Sequence, residues 1–174
     1  MIKNILITGS AGFIGFNLAK SLLDSDYRVH GYDGMTDYYD VRLKHERNKI
    51  LTNYKKFSFT EGMLENEEVL GKAVTNFRPE IIVHLAAQAG IRYSIEKPRV
   101  YISSNITGTF NIIELANKLK VNHLLIASSS SVYGANKNIP YREIDKTQTQ
   151  LSIYAATKKA TESIEYMLEK IKEL

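Results

Sequence analysis

The sequence predicts an α/β domain built on a doubly wound parallel sheet with its strands in the order 3-2-1-4-5. Three observations carry that prediction. Short apolar runs of strand length alternate with longer stretches of helical period along all 174 residues. The first run passes directly into a turn with glycines at three-residue spacing. No internal repeat or Ser/Pro-rich linker interrupts the alternation, so one domain spanning residues 1–174 is expected.

Taken in order, Ile5, Leu6 and Ile7 form the uninterrupted apolar run of a strand buried on both faces of a parallel sheet. Gly9, Gly12 and Gly15 follow as the period turns helical, with Phe13, Ile14, Leu18, Leu22 and Leu23 expected on one buried stripe. A second strand over 28–32 ends in Asp33, and a polar, tyrosine-containing loop at 36–40 leads to a charged helix over 41–53. Residues 56–60, with Phe57 and Phe59 alternating, form a third strand, and a helix over 65–77 stops before Pro79. The fourth strand, 80–85, is the most apolar, and the small-residue loop 86–90 follows it. Pro98 opens a long helix to about residue 120, carrying Tyr101, Ile102, Ile106, Phe110, Ile113 and Leu119 as its apolar positions. A fifth strand over 123–127, a polar stretch at 136–150 and a last helix over 153–172 complete the chain.

Composition narrows the function classes. There is no cysteine, which excludes disulfides, a thiol nucleophile and cysteine metal sites. The four histidines show no ligand spacing, so no metal is expected, and His84 reads as a hydrogen-bonded structural residue at a buried strand end. The net charge is +4, from 23 basic and 19 acidic residues that are interspersed. Its densest basic group, Arg42, Lys44, His45, Arg47 and Lys49, falls on expected helix-surface positions without a nucleic-acid motif; a solvated face aided by attraction to an anionic substrate is the reading. The N-terminus lacks a signal-peptide pattern, and the longest apolar stretch, 81–91, is broken by His84 and Gln88. A soluble, cytoplasmic protein with no nucleic-acid or membrane partner is expected.

A strand, glycine turn and helix in succession suit one ligand class. The glycines allow a tight reversal, close approach of backbone to a pyrophosphate and close packing of helix on strand, and the helix N-terminus offers unpaired N–H groups. The spacing GxxGxxG taken alone fits equally a tight connection with no ligand. Asp33 stands where a carboxylate meets the adenosine ribose hydroxyls, and such a group repels a 2′-phosphate, which favours NAD over NADP. In this topology ligands lie beyond the carboxyl ends of the strands, the edge expected to carry residues 9–15, Asp33, 86–90 and 128–131.

Two further segments reach that edge. SSSSVYG, residues 128–134, follows the fifth strand, and YAATK, 154–158, opens the last helix. Tyr154 and Lys158 are one helical turn apart and share a face. A lysine ammonium near a phenol favours the phenolate and lowers its pKa from about 10, so the phenolate takes a sugar hydroxyl proton as hydride leaves the carbon. A serine hydroxyl facing it holds the same oxygen. Each feature alone reads as well as a packed aromatic with a solvated lysine, or as a serine-rich turn; chain order and sheet edge join them.

TGSAGFIG, HLAAQAGIRYS, SSSSVYG and YAATKKA together resemble the extended short-chain dehydrogenase/reductase family of NAD-dependent sugar-nucleotide epimerases and dehydratases, over residues 3–162. Within it the nearest likeness is to the UDP-glucuronate 4-epimerases. The resemblance implies a Rossmann-like fold and Tyr154 as base, with Lys158 as its partner and as a ligand of the nicotinamide ribose. It implies Ser129, four residues before the tyrosine of VYG, as the catalytic hydroxyl. Implied cofactor contacts are Gly9, Gly12, Phe13, Ile14, Gly15, Asp33, Leu85, Ala86, Ala87, Gln88, Asn105, Tyr154 and Lys158. The implied reaction removes the O4 proton while the C4 hydride passes to NAD, turns the 4-keto sugar, and returns hydride to its opposite face. Dehydratases of the family carry an Asp-Glu pair after the catalytic hydroxyl. Ser130 and Ser131 stand there instead, which disfavours 4,6-dehydration. With Arg92 and Ser129, those serines are candidates to hold the substrate, the hydroxyls donating to a uronic acid carboxylate.

Three departures accompany the likeness. Gly62-Met63-Leu64 replaces the family's Gly-Asp-Ile/Leu, whose Asp bonds the adenine amino group; the loss is worth on the order of 1 kcal/mol of NAD affinity. Gly34 follows Asp33 where Asn is common. Residue 174 lies one helix past the lysine, whereas the family continues into a smaller C-terminal domain that binds UDP; little turnover is expected of this stretch alone. The expected function is an NAD-dependent 4-epimerase of UDP-glucuronate or a UDP-hexose, with a non-catalytic NAD-binding module or fragment, or a 4,6-dehydratase relative, as alternatives. The family commonly dimerises through its two long helices. A homodimer through residues 98–120 and 153–172 is therefore expected, Ala156, Ala160, Ile164, Met167, Leu168 and Ile171 forming one stripe, with packing on the sheet as the alternative.

Overall fold

β1 (Asn4–Thr8), β2 (Arg28–Asp33), β3 (Phe57–Glu61), β4 (Ile81–His84) and β5 (His123–Ile126) form one parallel sheet in the order β3-β2-β1-β4-β5. The order is the expected one. The computed structural model describes residues 3–172. Ile5 of β1 pairs with Val29 on one side and Ile81 on the other, so β1 is the strand at which the winding reverses.

The chain divides into two compact units: the stretch ending at Ala86 together with Asn111–Ala127, and Ala87–Phe110 together with the stretch beginning at Ser128. The first holds the sheet with α1 (Phe13–Asp24), α2 (Arg42–Thr52), α3 (Glu67–Phe77) and the part of α6 (Gly108–Lys118) from Asn111 onward. Strand side chains alternate between two cores. Ile5, Ile7 and Val29 pack with Ala19, Leu23 and Leu51 from α1 and α2. Leu6, Tyr32 and Ile82 pack with Leu70, Val74, Ile112 and Ala116 from α3 and α6. That two-sided burial is why the strands read as continuous apolar runs.

The fully buried face of α1 is Gly15, Ala19 and Leu23, at four-residue steps; of the expected stripe Leu23 is buried and Leu18 and Leu22 pack partly buried against the core, whereas Phe13 and Ile14 do not. Phe13 and Ile14 are 72% and 66% exposed, because the helix presses its glycine onto the preceding turn and turns its first two apolar side chains outward. A Cβ on Gly15 would lie 2.1 Å from the Gly9 carbonyl oxygen. α3 begins two residues later than expected because Asn66 caps it, its side chain accepting from the Val69 N–H.

The second unit contains α4 (Ile91–Glu96), α5 (Pro98–Tyr101), a π-helical turn (Ile102–Thr107), the start of α6, a 3₁₀ turn (Ser130–Tyr133) and α7 (Ile153–Lys172). α7, at the bounds expected, packs against α4, α5, the π-helical turn and the 3₁₀ turn. Helical structure runs from Pro98 to Lys118 without a gap, close to the helix expected over 98–120, but passes through a π-helical turn, and α4 was not foreseen. The π-helical turn carries Asn105, 1% exposed, onto the backbone of Gln88, a partner that local periodicity does not reveal. Along the long helix Tyr101 and Ile113 are buried as expected, whereas Ile102 and Phe110 are exposed. On the α7 stripe Ala160 and Ile164 are half-buried, and Ala156 and Met167 exposed; Leu168 and Ile171 lie outside the residues whose side chains are described. Among the described residues no helix is long and apolar enough to cross a membrane.

Gly15→Ala is expected to destabilise the protein by about 3 kcal/mol or more, since backbone must move to admit a methyl group. Denaturant unfolding of parent and variant measures it. His30, buried between Ser58 Oγ (2.7 Å) and Thr60 Oγ1 (3.1 Å), is held down to a pKa of about 4 by burial and by Arg28. The unfolded chain takes up this proton first as pH falls, so its contribution is intact above about 6.5 and lost toward 4, a change on the order of 3 kcal/mol. A His30→Gln variant should lose less stability than the parent across that window; parallel curves would refute the assignment.

Candidate functional site

In the first unit, β1 ends at Thr8 and the chain reverses at Gly9, whose φ of +73° suits glycine. The Gly9 N–H donates to Tyr32 O at 2.7 Å. A Cβ there would lie 2.8 Å from Ala86 N, so backbone meets backbone. Gly12, at the N-cap of α1, makes no side-chain cap hydrogen bond to the first turn. Thr8 Oγ1 bonds His84 Nδ1 at 2.7 Å and accepts from the Ala86 N–H at 3.2 Å, which joins the ends of β1 and β4. His84 is structural, as the sequence suggests. Leu85 and Ala86 are half-buried there.

Asp33 ends β2, 5% exposed. Its Oδ2 accepts the Ala11 N–H at 3.1 Å, and its Oδ1 accepts the Met35 N–H at 2.9 Å and Lys44 Nζ at 3.2 Å. Lys44 also donates to Thr36 Oγ1 at 3.2 Å. Arg47 Nη1 donates to Ala11 O at 3.2 Å and to the Tyr39 hydroxyl at 3.1 Å. The expected solvated face of α2 is therefore wrong at Lys44, which is 7% exposed, while Arg42, His45 and Lys49 are exposed as expected. The missed signal was the seven-residue spacing of Lys44 and the buried Leu51, which places both on one helix face.

The departures at Gly34 and Met63 are one feature. A Cβ on Gly34 would lie 2.5 Å from Met63 Sδ, and Met63 O accepts the Tyr32 hydroxyl at 3.0 Å. Burial, with Glu65 nearby, pushes that phenol up to about 12.

In the second unit, Tyr154 and Lys158 lie one turn apart on α7, Tyr154 half-buried and Lys158 6% exposed. The Tyr154 ring meets the buried Tyr101 ring edge-on at 6.1 Å, and the Tyr101 hydroxyl lies 2.6 Å from both Ala89 O and Gly90 O. Burial lowers the Lys158 ammonium to about 8. Asn105 is a strut: Oδ1 accepts the Gln88 N–H at 2.7 Å, and Nδ2 donates to Gln88 O at 3.0 Å and Thr157 Oγ1 at 3.1 Å. Thr157 in turn donates to Tyr154 O, so the Gln88 loop is tied to the turn that carries Tyr154 and Lys158. Ala87, at the start of that loop, is half-buried.

Ser129 is extended and caps the 3₁₀ turn, its Oγ accepting the Ser131 N–H at 3.2 Å. Ser128 donates to Glu162, which also accepts from Lys159. Ser130 is exposed, Ser131 half-buried, and Arg92 lies exposed on α4. The predicted residues thus fall into two groups. Gly9, Gly12, Gly15, Asp33, Leu85 and Ala86 belong to the first unit, with Phe13 and Ile14 exposed beside them; Ala87, Gln88, Asn105, Ser129, Tyr154 and Lys158 belong to the second.

A glycine turn into a glycine-capped helix, beside a carboxylate ending the neighbouring strand, at the reversal of a doubly wound sheet, defines a Rossmann-like fold. A family profile described as GDP-mannose 4,6 dehydratase matches residues 6–173, and the chain belongs to that family. It is 50% identical over 157 residues to a probable UDP-glucuronate 4-epimerase of Rhizobium meliloti (strain 1021), covering 90% of this chain and 46% of that protein. It is 50% identical over 158 residues to the protein CapI of Staphylococcus aureus, covering 91% and 47%. Among solved structures, the Thermus thermophilus UDP-glucose 4-epimerase complex with NAD superposes with a TM-score of 0.81 at 28% identity, covering 98% of this chain and 52% of that one. The chain spans about half the length of the curated relatives it matches.

In the nucleotide-free protein Lys158 binds its proton less tightly than in the unfolded chain, so it disfavours the fold below pH 8 and this effect fades toward 10.5. Relative to the parent, Lys158→Met is expected to be more stable at pH 7 than at pH 10.5 by on the order of 2–3 kcal/mol. Denaturant midpoints at both pH values measure it; an equal difference at both would refute it.

Proposed function

We propose that this protein is an NAD-dependent nucleotide-sugar 4-epimerase with UDP-glucuronate as substrate. The observation that carries the reading is the placement of Tyr154 and the buried, cationic Lys158 on one face of α7, braced through Thr157 and Asn105. The likeness to proteins named as UDP-glucuronate 4-epimerase and to an epimerase crystallised with NAD supports it.

The residues present fit the dinucleotide. Gly9 and Gly15 leave no room for a Cβ, the N-cap of α1 is a glycine with no side-chain hydrogen bond to the first turn, and Asp33 stands at the ribose position. Leu85, Ala86, Ala87, Gln88, Phe13 and Ile14 complete the contacts, with Asn105 acting through Gln88. NAD, when bound, supplies a reversible hydride acceptor for C4 of the sugar. Tyr154 takes and returns the O4 proton, and Lys158 keeps a positive charge beside it and reaches the nicotinamide ribose. Ser129 orients O4. Ser130 and Ser131, with Arg92, hold the uronate carboxylate.

The family's description names dehydration, but hydroxyls stand at 130 and 131, where elimination of water needs carboxylates. Ile102, Phe110 and Met167 expose apolar side chains that suit a homodimer. Turnover is assigned to a polypeptide of the relatives' length, and residues 1–174 alone are expected to bind NAD with little turnover.

With NAD and UDP-glucuronate, the full-length protein should form the C4 epimer and no 4-keto-6-deoxy product. Tyr154→Phe should lower turnover by about 10²–10⁴-fold while nucleotide affinity stays within about threefold. A parent with NAD bound and no epimer formed, or an unimpaired Tyr154→Phe, would refute the reading.

A further inference from the structure

We propose that Tyr101 is a positioning residue for the reaction: its ring, pinned by its own hydroxyl to the carbonyls of Ala89 and Gly90, is the wall that fixes the direction of the Tyr154 phenol. The inference rests on the proposed role of Tyr154 as the base.

A phenol that takes and returns a proton has to be aimed as well as ionised. Misplacing a reacting group by about 1 Å costs on the order of 10²-fold in rate. The α7 backbone places the root of Tyr154, but a half-buried tyrosine still turns about its side-chain torsions. An aromatic ring stands against it. Tyr101 is 0% exposed, and its ring meets the Tyr154 ring at 6.1 Å with an interplanar angle of 72°. Edge-to-face pairs at that separation attract, and the attraction depends on direction.

A wall serves only if it is itself immobile. Tyr101 closes α5 directly before the π-helical turn, and its hydroxyl lies 2.6 Å from both Ala89 O and Gly90 O. Gly90, at φ +99°, is the residue before α4, so one hydroxyl ties the helix carrying Tyr101 to the turn into α4. The Tyr93 ring of α4 packs on Tyr101 at 6.3 Å, and both α4 and α5 pack on α7. Each carbonyl also has a second donor, Gln88 Nε2 at Ala89 O and the Ser94 N–H at Gly90 O. Tyr101→Phe therefore orphans neither carbonyl and is expected to fold.

Steady-state kinetics of the full-length protein with NAD and UDP-glucuronate test this, with kcat and KM read separately and NAD affinity measured alongside. Tyr101→Phe, which unpins the ring, should lower kcat by about fivefold, and Tyr101→Leu, which removes the ring, by about thirtyfold or more. KM and NAD affinity should stay within about threefold of the parent in both. In a Tyr154→Phe background neither substitution should change the residual turnover by more than about twofold, because the group being aimed is gone. A role confined to folding would lower that residual turnover by the same factor as in the parent, and such a result would overturn the proposal. So would a kcat within about twofold of the parent in either variant, or a loss carried by KM or NAD affinity with kcat unchanged. If Tyr101→Leu does not fold, Tyr101→Phe carries the test. A parent that binds NAD and forms no epimer would sink the proposed function and this inference together, whereas an active parent with unimpaired variants would sink this inference alone.

Discussion

The first unit depends on a contact that only hydrogen atoms on two α-carbons permit. Gly15 rests on the Gly9 carbonyl, and Gly9 rests on the backbone at Ala86. Because no side chain intervenes, the start of α1 sits directly over the end of β1, with β4 alongside. Side chains at either position would force the helix off the sheet. The hydrogen bond between Thr8 and His84 joins the same two strand ends.

Asp33 extends that arrangement. Its carboxylate gathers the glycine turn through Ala11, the loop after β2 through Met35, and α2 through Lys44. A buried ion pair is a weak source of stability, because desolvation offsets attraction, but it fixes position strongly once formed. Met63 over Gly34 shows the same economy of space: a backbone without a side chain admits the sulfur. The geometry around Asp33 is therefore set by mutually dependent residues on three elements.

The second unit is organised differently. The pair proposed as reactive, Tyr154 and Lys158, stands on a regular helix, and the surrounding chain is held by the Asn105 amide and the Tyr101 hydroxyl rather than by glycine. Asn105 uses both ends of its amide to couple the Gln88 backbone to Thr157, and Tyr101 closes on the carbonyls of Ala89 and Gly90. Burial of Lys158 makes its ammonium less costly to deprotonate than an exposed lysine. Positioning on a rigid element and tuning by burial thus reside in the same turn.

By itself the sequence determined the order of elements, the strand order, the glycine turn, Asp33 at the end of β2, and Tyr154 and Lys158 on one helical face. These follow from local rules: side-chain periodicity, and the need for glycine at a left-handed φ or a close approach. Tertiary structure alone decided the π-helical turn, the outward Phe13 and Ile14, and the burial of Lys44. It also chose the partners of Asn105. Lys44 finds Asp33 eleven residues away and Asn105 finds Thr157 fifty-two residues away, across elements that must first pack. A charge on a helix reads as solvated until its neighbours bury it, and an amide's partners are set by where the chain returns rather than by the residues beside it.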